Sequence, residues 1–324
     1  MGTVFSTTPV YPDQAERVAA AGHGLAMHEG PTPIGRSDLL AGVANADALL
    51  CLLTDRIDRE VLEKASVKIV ANIAVGYENV DVDSAEEMGI VVTNTPDVLT
   101  EATADLTFAL LLACARRLAE ADRAVREGRF PPWRLDPPLL GLDVFGKTLG
   151  VVGLGRIGSA VARRARRGFD MHVLYHNRTR NEDAERDLGV EYVPFETLLG
   201  ESDFVCVHVP GTEETHHLFD AVVFSRMKPS AILVNAARGT VVDEDALISA
   251  LEGGVIAGVG LDVYENEPTV HPGLLRLTER VVLAPHVGSA TYETRHGMVE
   301  LAVDNVLSVL EGKPPITPVT HPSD

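Results

Sequence analysis

Long hydrophobic runs are missing from this chain of 324 residues. No stretch approaches the roughly 18 apolar residues that a membrane-spanning helix needs. The opening residues MGTVFSTTPVYPDQ hold neither a basic region nor an apolar signal core, so the expected location is the cytoplasm. Cysteine is scarce: Cys51, Cys114 and Cys206 sit in ALLCLL, LLACAR and FVCVHV. Those apolar contexts have no redox or metal-ligand spacing and predict inert core thiols. Positive charge is short as well, with 28 Lys and Arg against 47 Asp and Glu and a net charge of -19. A polyphosphate backbone would be repelled, which excludes a non-specific nucleic-acid binder; an anionic ligand must meet locally concentrated positive charge.

What is present is enough apolar material, 45% of residues, for two domains that each bury a core. Short apolar runs (GTVFST, ADALLCLL, VKIVANIA, IVVTNTP) alternate with amphipathic stretches (PDQAERVAAAG, DREVLEKA), the rhythm of a parallel sheet covered by helices. Thr100 to Gly128 then reads as one long helix, opened by a Thr cap and closed by Gly. Its apolar girth from Leu106 to Ala115 suggests a connector that also packs on a partner subunit, with burial inside one chain as the alternative. A second series follows (KTLGVVG, MHVLYH, DFVCVHV, SAILVNA, VIAGVGLDV, RVVLAPH) with the strand count of a doubly wound sheet. The last helix carries Met298, Leu301, Ala302, Val306 and Val309 along one face and is expected to return to the first domain. The predicted domains are therefore 1–99 plus 287–324, and 100–286.

GVVGLGRIGSAVARRARRG offers strand, turn and helix in the order a dinucleotide-binding fingerprint requires: Gly153 for the tight turn, Gly155 for approach of the pyrophosphate, Gly158 for helix packing. The helix start would hold the pyrophosphate, aided by Arg156. Arg163, Arg164, Arg166 and Arg167, toward the other end, read as a solvated face. A further absence is the informative one. The next strand ends in HNRTR, and Asn177 stands 19 residues after Gly158, where a carboxylate would accept the ribose hydroxyls of NAD. Arg178 and Arg180 reverse the sign. A unit-charge pair at about 4 Å is worth roughly 4 kcal/mol at an effective dielectric of about 20, and even a third of that shifts preference about tenfold. The expectation is NADP(H) in preference to NAD(H), with Arg178 and Arg180 on the 2′-phosphate and Asn177 beside it.

Three later stretches each end a strand in a chemically active residue: Arg238 in VNAARGTVV, Glu267 in LDVYENEP, His286 in VVLAPHVGSAT. With the glycine loop, and at intervals of 29 and 19 residues, they resemble the D-isomer-specific 2-hydroxyacid dehydrogenase family over essentially the whole chain. TPDVLTEATADLTFALLL, the lone Trp133 and HNRTR look most like its glyoxylate and hydroxypyruvate reductase branch. The resemblance implies an α/β fold of two doubly wound parallel-sheet domains, a flavodoxin-like substrate domain and a Rossmann cofactor domain, with a cleft between them and a homodimeric assembly. It implies reduction of a small 2-keto acid, with Arg238 gripping the substrate carboxylate and polarising the keto oxygen, His286 donating the proton, and Glu267 favouring the charged imidazole and fixing its ring. It places Val75 and Gly76 N–H groups and Leu52 at the substrate, and Ile157, Thr179, Val209, Pro210, Thr215, Ala236, Ala237, Asp262 and Gly288, with Arg238 and His286, around the cofactor. Trp133 would reach a neighbouring subunit or simply pack. His216 and His217 invite a metal reading that their adjacency and lack of a spaced third ligand speak against. Rival specificities are 2-ketogluconate reductase and 3-phosphoglycerate dehydrogenase; a dinucleotide-binding corepressor is the non-enzymatic alternative.

Overall fold

The computed structural model describes residues 1–319; the last five residues of the predicted tail lie outside them. The chain divides into two compact units, one from Met1–Leu99 joined by the chain from Ala290 onward, the other Thr100–Ser289.

In the first unit five parallel strands, β1 (Thr3–Ser6), β2 (Gly24–Met27), β3 (Ala48–Cys51), β4 (Ile69–Asn72) and β5 (Val91–Thr93), lie in the order β2-β1-β3-β4-β5. This is the flavodoxin-like order, with its reversal beside β1. β3 and β4 are buried at every position, so their side chains feed two cores, Leu49, Cys51 and Val70 to one face and Ala48, Leu50, Ile69 and Ala71 to the other. Burial on both faces is why these strands read as unbroken apolar runs. β2 was not foreseen. It is an edge strand of four residues, GLAM, mostly exposed and too short to stand out as an apolar run. The helix Tyr292–Leu310 returns here as expected, burying Met298, Ala302 and Val306 against Leu50 and Ile69.

The second unit holds seven parallel strands, β6 (Thr148–Val152), β7 (His172–His176), β8 (Glu191–Tyr192), β9 (Phe204–Val207), β10 (Ile232–Asn235), β11 (Gly258–Leu261) and β12 (Val281–Leu283). Their order, β12-β11-β10-β9-β6-β7-β8, is a Rossmann sheet with one added edge strand. The expected helix from Thr100 to Gly128 is two helices, Thr100–Ala115 and Leu118–Arg126. Arg117 breaks it in a left-handed conformation (φ 52°), and its guanidinium is held by Glu120 at 2.6 Å. The apolar girth of the first helix is used inside this unit: Phe108, Leu110, Leu111, Cys114 and Ala115 are buried, with Ile232 and Val234 of β10 in the same core. The arginines predicted as a solvated face are partly tied down, Arg163 by Glu101 and Arg164 by Glu101 and Asp105, at 2.7–2.8 Å. Among the described residues no helix is long and apolar enough to cross a membrane. Cys51, Cys114 and Cys206 are all buried free thiols.

Candidate active site

β6 ends where the backbone must turn sharply. Gly153 has φ 98°, and a Cβ there would lie 2.6 Å from the carbonyl oxygen of His208. A Cβ on Gly158 would lie 2.1 Å from the Gly153 oxygen, so the helix Arg156–Phe169 seats against the turn only because that residue has no side chain. Gly155 differs from both. A Cβ there would meet nothing within 4 Å, and as the helix cap it makes no side-chain hydrogen bond. The helix start is therefore sterically open at Gly155, which fits the close approach of a pyrophosphate.

Beyond β7, Asn177 Oδ1 accepts a hydrogen bond from Leu154 N at 2.6 Å, so its carboxamide braces the glycine loop. The two arginines next to it are not equivalent. Arg180 makes a two-pronged pair with Glu185 at 2.7 Å on each arm, and Tyr175 Oη donates to the same carboxylate at 2.7 Å. The Arg180 guanidinium holds the Glu185 carboxyl down at about 2. Arg178, largely exposed, is 3.3 Å from Glu214. Neither acid was anticipated, since both counter-charges come from outside the HNRTR stretch. Thr215 Oγ1 donates to Pro210 O at 2.6 Å and accepts from Thr212 N at 2.8 Å, folding the 210–215 loop after β9 on itself.

Arg238 follows β10 in a turn closed by Asn235, whose Nδ2 donates to the Arg238 carbonyl at 2.9 Å while its Oδ1 accepts from Ala237 N at 3.0 Å. A Cβ on Gly239 would overlap the Tyr264 carbonyl at 1.9 Å, so this glycine lets the arginine turn lie directly on the 264–267 turn. Arg238 Nη1 donates to Ala237 O at 2.7 Å, and a Cβ on Gly211 would lie 3.1 Å from Arg238 Cγ. On the next turn Glu267 Oε1 accepts from Tyr264 N at 2.9 Å, and Oε2 is 2.7 Å from His286 Nδ1. Burial pushes the Glu267 carboxyl up, but the bond and charge of His286, with Arg238 adding to them, outweigh it and hold the carboxyl below its usual range. His286 Nδ1 is engaged, which leaves Nε2 as the second ring nitrogen.

His286 itself is left-handed (φ 54°) and is fixed by one residue. Asp262 O accepts from His286 N at 2.8 Å, while its carboxylate accepts from Val287 N at 2.7 Å and Gly288 N at 2.8 Å. The sequence suggested cofactor contact for Asp262; its clamp on the histidine turn had no signal in spacing. The same bonds tie Val287 and Gly288 to the Thr100–Ser289 unit, so its boundary falls at Ser289 rather than 286.

Leu52, Val75 and Gly76 lie in the other unit. Leu52 follows β3, where its N–H donates to Asp55 Oδ2 at 2.8 Å. Val75 and Gly76 follow β4, with their carbonyls accepting from Asn94 and Asn72 at 2.8 and 2.7 Å. Trp133 is 87% exposed. His216, His217 and Glu265 do converge, with ligand atoms within 4.8 Å of one another, a third group the sequence could not reveal. Here His217 Nε2 is hydrogen-bonded to Glu265 at 2.5 Å, and the imidazoles stack 4.0 Å apart and 29° from parallel. Planes so disposed do not meet within the reach of a metal–nitrogen bond of about 2.0–2.1 Å.

A parallel sheet with a glycine turn opening onto a helix start, and with Arg, Glu and His gathered on its carboxyl edge, defines an α/β oxidoreductase that binds a nicotinamide dinucleotide. The chain belongs to the D-isomer specific 2-hydroxyacid dehydrogenase family, whose NAD binding domain matches residues 108–288, more than half of its length. It is 50% identical to the glyoxylate reductase of Thermococcus litoralis over 96% of this chain and 95% of that protein. With the glyoxylate reductase of Korarchaeum cryptofilum it shares 53% identity over 90% and 88%. Among solved structures it is similar to the NADPH-dependent glyoxylate/hydroxypyruvate reductase of Sinorhizobium meliloti, in complex with NADP and malonate (TM-score 0.82, 36% identity, 98% of this chain and 97% of that one).

Proposed function

We propose that this protein reduces glyoxylate, hydroxypyruvate or a similarly small 2-keto acid to the D-2-hydroxy acid, with NADPH preferred over NADH. The bound nicotinamide supplies the hydride. The observation that carries the reading is the 2.7 Å bond from Glu267 to His286 Nδ1 beside the Arg238 turn. It orients the ring through Nδ1 and leaves Nε2 to face the keto oxygen and deliver the proton. Arg238, charged at any working pH, holds the substrate carboxylate and offsets negative charge on that oxygen as it develops. Val75 and Gly76 N–H groups take the other carboxylate oxygen, and Leu52 bounds the substrate. Gly153, Gly155, Arg156, Ile157 and Gly158 hold the pyrophosphate; Asn177, Arg178, Thr179 and Arg180 the adenosine end; Val209, Pro210, Thr215, Ala236, Ala237, Asp262 and Gly288 the nicotinamide half. The NADPH preference rests on Arg178 more than on Arg180, whose charge Glu185 already compensates. We further propose a cytoplasmic homodimer, because Phe130, Trp133 and Leu135 are at least 78% exposed on one short segment.

Initial rates with glyoxylate, hydroxypyruvate, pyruvate and 2-ketogluconate, each with NADPH and NADH, test the proposal. The expected result is highest kcat/KM for the small acids, and an NADPH advantage that drops about tenfold in Arg178→Ala. A wild-type preference for NADH, or for 2-ketogluconate, overturns the corresponding part.

A further inference from the structure

Three successive peptide units after β4 are each pinned by the carbonyl. Ala74 O accepts from Thr95 N at 2.8 Å, Val75 O from Asn94 Nδ2 at 2.8 Å, and Gly76 O from Asn72 Nδ2 at 2.7 Å. In a trans peptide the C=O and the following N–H point in opposite directions, so each bond also aims a donor: Val75 N–H, Gly76 N–H and Tyr77 N–H in turn. None of these three N–H groups meets an acceptor among the described residues. Backbone donors are rarely left so, and the three residues are only partly buried, open to a ligand or to water. A run of successive unpartnered N–H groups is suited to an anion.

The pins are not incidental surface contacts. Asn72 is fully buried at the end of β4, and Asn94 follows β5 one step beyond the paired residues Ala71 and Thr93, so both side chains issue from the carboxyl edge of the sheet. Asn72 is itself braced: its carboxamide lies 3.3 Å from that of Asn79, whose Nδ2 donates to the carbonyls of Leu52 and Asp55 at 3.0 Å. A lysine or arginine here would bring its own charge. Neutral carboxamides aim the donors and do not titrate.

We infer that Asn94 and Asn72 are positioning residues for substrate binding: Asn94 aims the Gly76 N–H, and Asn72 aims the Tyr77 N–H as a third donor, at the carboxylate of the keto acid. This rests on the proposed reading of the Val75–Gly76 loop as the carboxylate site. The asparagines act on binding and leave proton transfer alone.

The test uses the holoenzyme with NADPH, glyoxylate as substrate and oxamate as a non-reacting carboxylate probe. Asn94→Ala and Asn72→Ala are expected to raise KM for glyoxylate and Ki for oxamate about ten- to a hundredfold, the worth of a charge-assisted hydrogen bond. kcat and the KM for NADPH should hold within about threefold, and the KM ratio to wild type should be the same at pH 6 and pH 8. In the wild type, oxamate should shift the backbone amide resonances of Val75, Gly76 and Tyr77. If those amides do not respond, the carboxylate reading fails and the inference fails with it. If they respond but the variants keep wild-type KM and Ki, or lose kcat instead, the reading stands and the positioning role is refuted. A response at Val75 and Gly76 without Tyr77 removes Asn72 alone. Should the alanine variants not fold, Asn94→Leu and Asn72→Leu keep the size, lose the donor without adding charge and carry the same expectations.

Discussion

The carboxyl edges of the two parallel sheets set different groups at their candidate sites, although each also holds some of the other's kind, Asn177 and Asn235 on one and Asp55 on the other. That of the seven-stranded sheet gathers ionisable groups, Arg238, Glu267, His286 and Asp262, held by short bonds that run from charge to charge or from charge to backbone. The edge of the five-stranded sheet gathers neutral amides, Asn72, Asn79 and Asn94, bonded to carbonyls. Under the proposed function, the difference tracks what each edge would do. Where a proton moves and charge appears on an oxygen, a group that changes protonation state or carries fixed charge is required. Where a carboxylate is only held, a rigid array of N–H groups suffices, and its affinity is insensitive to pH.

The comparison would break most visibly at His286. Its replacement by alanine should lower kcat about 10²- to 10⁴-fold, the usual range for loss of a general acid, and leave the KM for NADPH unchanged. Single-turnover kinetics under saturating glyoxylate would measure this directly. A variant within a few-fold of wild type would mean that the proton comes from elsewhere, and the charged edge would lose its central role.

A smaller effect, but a sharper one, is expected at Glu267. Its carboxyl sits below the usual range, so it is ionised throughout the working pH range and favours the protonated imidazole. Reduction needs that proton on the enzyme, so activity is lost as pH rises. Removing the negative charge in Glu267→Gln moves this alkaline limb to lower pH. The asparagine variants should show no such movement, and a profile that shifted equally in both would erase the distinction between the edges.

How far this was readable in advance follows the same division. The glycine turn was legible because strand, turn and helix are contiguous and each glycine has its own steric reason. Arg238, Glu267 and His286 could be placed together because each follows an apolar strand, and parallel strands put their ends on one edge. Partners that come from elsewhere in the chain left no trace. Nothing in HNRTR announces that Glu185 neutralises Arg180 or that Glu214 faces Arg178, and nothing in LDVYENEP shows Asp262 holding the histidine turn. Asn72 and Asn94 were read only as strand residues, since a carboxamide has no charge or period to mark it. β2 escaped because its four residues, GLAM, are too few to show a period, and the break at Arg117 because a left-handed residue other than glycine is invisible to helix periodicity.

The smallest effect concerns stability. His208, just past β9, has both ring nitrogens buried without a hydrogen-bond partner, and burial pushes it down to about 4. The native state therefore prefers the neutral ring, while the unfolded chain takes up a proton near pH 6.5. Stability from this residue is complete above that pH and is lost as pH falls toward about 4, to the extent of roughly 2–3 kcal/mol by pH 4.5. Glu244 and Asp262, whose carboxyls burial raises, work in the other direction, so the slope of the wild type alone is not diagnostic. The difference from His208→Phe is. That variant should unfold within about 1 kcal/mol of wild type at pH 7, because an apolar ring replaces two unsatisfied nitrogens. It should then lose several degrees less in Tm on going to pH 4.5. Calorimetry that resolves the two units would sharpen the comparison further, with the gain confined to Thr100–Ser289 and the transition of the asparagine-braced unit unmoved.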